Sequence, residues 1–196
     1  MARLAQRGDR AAFDALVQSY QELAFRAAYL IVRDEDDAAD VAQDAFVRAY
    51  RSLDAFDTSR RFRPWLLRIV TNVALNSARS SGRRNAATER LARDAGTGKD
   101  QRPDAAVEAA EQSERVWSAI TDLPDDDQRL IYLRYFLETS EAEAAESIGR
   151  PVGTVKSRLH RALKRLRRVI EDGYPDLLPY ATQLLREERY ESATNT

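Results

Sequence analysis

Eight Lys or Arg residues and no acid fall within residues 148–168, IGRPVGTVKSRLHRALKRLRR (Arg150, Lys156, Arg158, Arg161, Lys164, Arg165, Arg167, Arg168). Cations at that density can hold a phosphate backbone. A second acid-free block, residues 60–84, carries seven arginines (Arg60, Arg61, Arg63, Arg68, Arg79, Arg83, Arg84) interleaved with Phe62, Trp65 and Asn72. Amides and rings beside cations can receive an unstacked base, although for Phe62 and Trp65 packing in a core is the stronger reading. The opposite charge gathers in RDEDDAADVAQDAF, with Asp34, Glu35, Asp36, Asp37, Asp40 and Asp44. Such a surface repels DNA and suits a protein partner. A hard cation shared by Asp36, Asp37, Asp40 and Asp44 is the rival chemistry. It is the weaker one, because no second carboxylate cluster accompanies it on a facing apolar helix.

Other chemistry is excluded by composition. The chain has no cysteine and one histidine, His160. That removes thiolate and disulfide chemistry and His-based metal clusters, and leaves His160, inside the basic segment, as the only base a Ser/His/Asp triad could use, so no conventional triad is expected. No enzymatic activity, cofactor or metal is expected. With 31 basic and 32 acidic residues the formal charge is −1, so a nucleic-acid signal must lie in how charge is distributed. The N-terminal MARLAQRGDRAAFDALV lacks an apolar signal core, and no run of about 18 apolar residues could span a bilayer. The expectation is a soluble, cytoplasmic protein without a membrane partner.

The elements that must position these residues read as helices throughout. In a chain of 196 residues with 43% hydrophobic content, one ordinary domain or two small ones can bury a core. Phe13, Leu16, Val17, Tyr20, Leu23, Ala24, Ala27 and Ile31 recur at spacings of three and four, predicting a long first helix. Acids then open a second helix whose apolar stripe is Ala38, Val41, Ala42, Ala45, Phe46, Ala49 and Leu53. A polar connection, DAFDTSRR, leads to a third helix opened by Pro64, with Phe62, Leu66, Ile69, Val70 and Val73 on its apolar side. Periodicity fails from about Ser80 to Asp104, where three glycines and a proline read as a flexible linker. Further helices are expected through Val107, Val116 and Ile120, and through Leu130, Ile131, Leu133 and Leu137. Two more are separated by IGRPVG.

Within the basic segment, Val152, Val155, Leu159, Leu163, Leu166 and Ile170 keep an apolar stripe. Lys156, Ser157, His160, Arg161, Lys164 and Arg168 lie off it. Upstream, TSEAEAAESIG supplies a short helix and a glycine turn, so the order is that of a helix-turn-helix. The N-terminal residues of its second helix, Thr154, Lys156, Ser157 and Arg158, would lie nearest base edges.

These stretches resemble a known family. DAADVAQDAFVRAYRSLDAFD followed by FRPWLLRIVTNVALNSAR is similar to region two of bacterial sigma factors, and LPDDDQRLIYLRYFLETSEAEAAESIGRPVGTVKSRLHRALKRLR to region four. The short linker and the lack of an N-terminal extension resemble the extracytoplasmic-function (ECF) group. The resemblance runs from about Phe13 to Arg168. It implies that Asp40, Gln43 and Asp44, with Phe46, grip the coiled coil of the polymerase largest subunit, and that region four meets the flap. It implies that Asn72, Asn76 and Arg79 face the minus-ten element, while the loop with Thr58, Ser59, Arg60 and Arg61 holds a base flipped from the non-template strand. Thr154, Lys156, Ser157, Arg158 and Arg161, with His160 and Arg165, fall on the helix over the minus-thirty-five element. The family often carries Asp where Asn76 stands and Ile where Ala144 stands.

The expected molecule is therefore all-α. Residues 1–84 form a region-two bundle, 85–105 a flexible linker, 106–171 a region-four helix-turn-helix, and 172–196 a tail. Its expected function is that of a non-enzymatic initiation subunit of RNA polymerase, binding core polymerase and promoter DNA as duplex and as non-template single strand. An anti-sigma factor is a candidate further partner. The alternative is a helix-turn-helix regulator acting without core polymerase, which leaves residues 34–84 without a role.

Overall fold

The computed structural model describes the backbone of residues 1–92 and 105–178, and the side chains of residues 1–80, 112 and 114–178. The described residues contain helices and turns and no strand, as the sequence predicts. The helices are α1 (Ala2–Gln6), α2 (Arg10–Val32), α3 (Glu35–Arg51), α4 (Phe62–Ala92), α5 (Ala105–Thr121), α6 (Asp125–Ile131), α7 (Glu141–Ile148) and α8 (Val152–Gly173). By contacts the chain divides into two units, one holding α1–α4 with Tyr132–Val152, the other α5, α6 and α8.

In the first unit α2, α3 and α4 pack against one another as a bundle. Much of their shared face is alanine: Ala24, Ala27, Ala28, Ala38, Ala45 and Ala49 are all fully buried. Side chains that small let helix backbones approach closely and give long contacts. The apolar weight comes from α4, where Leu66, Leu67 and Val70 are each 0% exposed and contribute about 1.5–3 kcal/mol apiece by leaving water. At one end of the bundle Phe56, Phe62 and Trp65 form a ring cluster with centroids 4.7–5.7 Å apart, and Tyr20 joins Phe62 at 5.3 Å.

Local signals set the helix ends. Asp9 caps α2 by accepting from the Ala12 N–H at 3.0 Å. Asp34 caps α3 by accepting from Asp37 N–H at 2.9 Å, so the acids that follow sit where the helix dipole favours them. α4 begins at Phe62, leaving Pro64 in its first turn, and continues as helix to Ala92. It therefore runs through Gly82 and past Ser80, where the periodicity lapses; residues 93–104 of the expected linker lie outside the described residues.

α7 and the turn before it belong with α2 and α4. After α6 the chain widens into a π turn at Tyr132–Phe136, with Leu137 N–H donating to the Tyr132 carbonyl at 3.0 Å. A capping box at Ser140 and Glu143 starts α7, and Gly149 at φ 70° ends it. Left-handed backbone of this kind favours glycine. Arg150 and Pro151 then lead into α8, completing the expected order of helix, glycine turn and helix. Ala144 on α7 is fully buried.

In the second unit the buried face of α8 is the stripe Val155, Leu159, Ala162, Leu163, Leu166 and Ile170. Among the described side chains of α5, α6 and the turn between them, Trp117, Ala119, Ile120, Leu123, Leu130 and Ile131 are the buried apolar residues. The start of the tail docks here: Leu177 is 1% exposed, Arg115 pairs with Asp176 at 2.6 Å, and the Tyr174 hydroxyl donates to Asp122 at 3.2 Å. Residues 179–196 lie outside the described residues.

Candidate polymerase and nucleic-acid interfaces

The acid-rich face of α3 is open. Asp40 and Gln43 are exposed, and Asp44 is half-buried with its carboxylate held by Arg48 at 2.9 Å, one turn on. Phe46, 9% exposed, turns inward. It forms the floor of an open groove of about 530 Å³ between α2 and α3, lined also by Val17, Gln21, Phe25, Ala42 and Gln43. Farther along α3, Val47 and Tyr50 are exposed at 41% and 50%. The face thus joins carboxylate and amide groups to an apolar trough. Among the described residues no group of three or more His, Cys, Asp or Glu could hold a metal ion, so the rival cation chemistry gains no support from the geometry.

The connection from α3 to α4 begins as a single 3-10 turn at Leu53–Ala55, with Leu53 and Phe56 buried. Asp57 organises the loop beyond this turn. Its Oδ1 accepts from the Ser59 hydroxyl at 2.7 Å and the Ser59 N–H at 3.0 Å, and its carbonyl accepts from Arg60 N–H at 2.9 Å. The Ser59 bonds, then Arg60, hold the Asp57 carboxyl below its ordinary value despite the opposing effect of desolvation. Thr58 is half-exposed, and Ser59, Arg60 and Arg61 are exposed. On α4, Asn72, Asn76 and Arg79 follow at helical spacing, with Asn72 half-buried and the other two exposed. Phe62 and Trp65 belong to the ring cluster, in keeping with their reading as packing residues.

Two arginines beside this loop are tied to α7. Glu143 accepts from Arg63 at 3.1 Å and lies 3.5 Å from Arg61, while Arg63 also donates to the Leu137 carbonyl at 3.2 Å. Burial pushes the Glu143 carboxyl up, but the Ser140 N–H and Arg63 outweigh it and leave the group below its ordinary value.

On α8, Thr154, Lys156, Ser157, His160 and Arg161 are exposed on the face away from the buried stripe. Arg158 and Arg165 are placed differently. Arg158 pairs with Asp126 at 3.1 Å and Arg165 pairs with Asp127, both in the first turn of α6. Asp127 is itself 7% exposed, so its partner compensates a largely buried charge.

Residues 16–84 match the family described as Sigma-70 region 2, and residues 113–166 match Sigma-70, region 4. The ECF RNA polymerase sigma factor SigW of Bacillus subtilis is 35% identical over 174 residues, spanning 85% of this chain and 93% of SigW. The ECF sigma-E factor of Escherichia coli K12 is 37% identical over 166 residues, 80% of this chain and 85% of its own. The chain is an ECF sigma factor of the sigma-70 family.

Solved structures agree. CnrH, solved in complex with the cytosolic domain of CnrY, has 30% identity and a TM-score of 0.60, with 88% of this chain and 96% of CnrH covered. RpoE of Bartonella quintana, at 22% identity and a TM-score of 0.53, shares the fold over 82% of this chain and 97% of its own. The family acts in transcription initiation, and the regulator that works without polymerase is not favoured. No helix among the described residues of this sigma factor is long and apolar enough to cross a membrane.

Sequence reasoning missed part of the α2 wall of the groove. Gln21 and Phe25 stand off the apolar stripe of α2, and Phe25 stacks on Tyr29 with centroids 6.2 Å apart. An aromatic pair off the core stripe of an amphipathic helix was the available signal. The partners of Arg158 and Arg165, 32 and 38 positions upstream, had none.

Proposed function

We propose that this sigma factor divides initiation among three surfaces. The open face of α3, with Asp40, Gln43, Asp44 and Phe46 beside the α2 groove, grips the coiled coil of the polymerase largest subunit. Thr58, Ser59, Arg60 and Arg61 of the loop, with Asn72, Asn76 and Arg79 of α4, take the non-template strand of the minus-ten element. Thr154, Lys156, Ser157, His160 and Arg161 of α8 read the minus-thirty-five duplex, with Arg158 and Arg165 beside them, and region four meets the flap. The protein performs no catalysis itself and works in the cytoplasm.

The observation that carries this reading is the segregation of charge in a chain of net charge −1. Carboxylates and an apolar groove share one face of the bundle, while residues 60–84 and 148–168 hold cations without a single acid. Protein and nucleic acid call for such opposite surfaces. An anti-sigma factor that withholds the chain from polymerase belongs to the same reading, since CnrH, 30% identical, was solved with the cytosolic domain of another protein. The test is transcription from a genomic promoter library with purified core polymerase. Specific transcripts should need both core and this chain, and core should co-purify with it. A regulator independent of polymerase would bind DNA but retain no core.

A further inference from the structure

We infer that Gln6 is a positioning residue for base recognition, setting the loop that carries Thr58, Ser59, Arg60 and Arg61. The side chain lies 47–50 positions from its partners. Its Nε2 donates to the Leu53 carbonyl at 2.8 Å and to the Phe56 carbonyl at 2.8 Å, and it approaches the Asp54 carbonyl at 3.3 Å. One neutral amide thus gathers the carbonyls of the 3-10 turn from which the loop departs. The Leu53 carbonyl also accepts from the Phe56 N–H at 3.0 Å, so the amide supplies its second donor, and a primary amide, with two N–H groups, can serve this carbonyl and that of Phe56 at once.

The position of this clamp decides its consequence. Phe56 is held from two sides, its ring 4% exposed in the cluster with Phe62 and Trp65 and its carbonyl fixed by Gln6. Its backbone is extended at φ −73°, ψ 125°, so the chain changes direction there, one residue before Asp57. Beyond that point the bonds among Asp57, Ser59 and Arg60 are internal to the loop. They give it shape, and Gln6 fixes where that shape starts. A loop ordered in advance loses less entropy when it captures a base, so more of each contact appears as selectivity.

The N-terminus is built to deliver this side chain. Ala5, 5% exposed, seats α1. Gly8 at φ 91° donates to the Ala5 carbonyl at 3.0 Å and turns the chain toward the Asp9 cap of α2. Gln6 lies outside both family matches, which cover 16–84 and 113–166.

The inference rests on the proposed reading of the loop as the holder of a minus-ten base, and the test separates the two. Full-length protein with core polymerase is challenged with promoter DNA randomised across the minus-ten non-template strand, as duplex and with the bubble already open. Four variants are compared with the parent. Gln6→Ala removes the amide, and Gln6→Glu keeps its size but replaces the donors with acceptors. Asp9→Ala uncaps α2 without touching the loop. The last replaces Thr58, Ser59, Arg60 and Arg61 together with Ala. Both Gln6 variants should reduce enrichment of the preferred base at one position by about tenfold, within what one good base contact supplies. Core affinity should hold, and Asp9→Ala should match the parent. Parental enrichment in both Gln6 variants, with enrichment flattened in the four-residue variant, would overturn the clamp and leave the loop reading standing. Parental enrichment in the four-residue variant too would overturn both. Equal loss of core affinity and base preference in the Gln6 and Asp9 variants would make Gln6 a fold residue only, and would also overturn the inference.

Discussion

Charged side chains of one type have different duties in this molecule, and their partners tell them apart. Asp40 is exposed beside Gln43, whereas Asp44 is already held by Arg48. That exposed ion pair contributes little by itself, so Asp44 can exchange Arg48 for a partner's donor at small cost. Replacing Asp40 and Asp44 together with Ala is therefore expected to weaken core binding by about 2 kcal/mol, the loss of charge-assisted bonds at an interface, with helix content unchanged. Unchanged affinity in a core titration would remove the α3 face from the interface. On α8 the same comparison separates Lys156 from Arg165. Lys156 is exposed, while Arg165 neutralises Asp127, 7% exposed on α6. Arg165→Ala should cost about 1–2 kcal/mol of stability, less than for a fully buried pair because the guanidinium is half in water. Lys156→Ala should leave the urea midpoint in place and weaken duplex binding, with a shallower salt dependence. If Arg165→Ala melts like the parent and only DNA affinity falls, the α6 pair has no structural role.

Helices were readable wherever burial repeats at helical spacing. Every residue of the expected α3 stripe, from Ala38 to Leu53, is buried, because a helix with one wet and one dry face leaves that period in its composition. The basic helix α8 was legible for the same reason, its stripe from Val155 to Ile170 being buried. The far end of α4 was not: residues 81–92 are polar and include Gly82, yet they continue as helix. Nor was the grouping of Tyr132–Val152 with α2 and α4, because it depends on ties such as Arg63 to Glu143 that are 80 positions apart and leave no local pattern. The α1 clamp was invisible too, since a lone glutamine carries neither charge nor period. Glu143 connects α7 to α4 and caps α7 as well, which makes it testable by pH. Its folded pKa lies below the ordinary value of 4.5, so its stabilisation is complete above that value and is lost as pH falls through the folded pKa. Glu143→Gln keeps some of the capping geometry but not the charge. Urea midpoints measured from about pH 6 down to about pH 3 should show the parent ahead at the upper end and the two converging at the lower. A constant gap across that range would mean that the carboxylate charge contributes nothing.

At the scale of the whole molecule the question is what two acid-free basic blocks accomplish that one would not. α8 is a regular helix of 22 residues with an exposed cationic face, a shape that fits an intact major groove. The loop and α4 present something else: hydroxyls at Thr58 and Ser59, arginines at 60 and 61, and amides at Asn72 and Asn76, on irregular backbone leading into a helix. Amides and hydroxyls can pair with the exposed edge of an unstacked base, and cations can follow its phosphates. Extruding a base costs a few kcal/mol of stacking and pairing, and a loop that holds the base offsets part of that cost only where the strands must still be separated. Replacing Thr58, Ser59, Arg60 and Arg61 with Ala should therefore slow open-complex formation on duplex promoters by about tenfold, equivalent to roughly 1.4 kcal/mol, and have much less effect on the same promoters with the bubble already open. Asp57 and the buried Phe56 remain in that variant, so the bundle should keep its thermal midpoint to within a few degrees. The measurement is the rate at which heparin-resistant complexes appear on each template. Equal slowing on duplex and bubble would assign the loop to general attachment, and the melting role would have to be sought along α4.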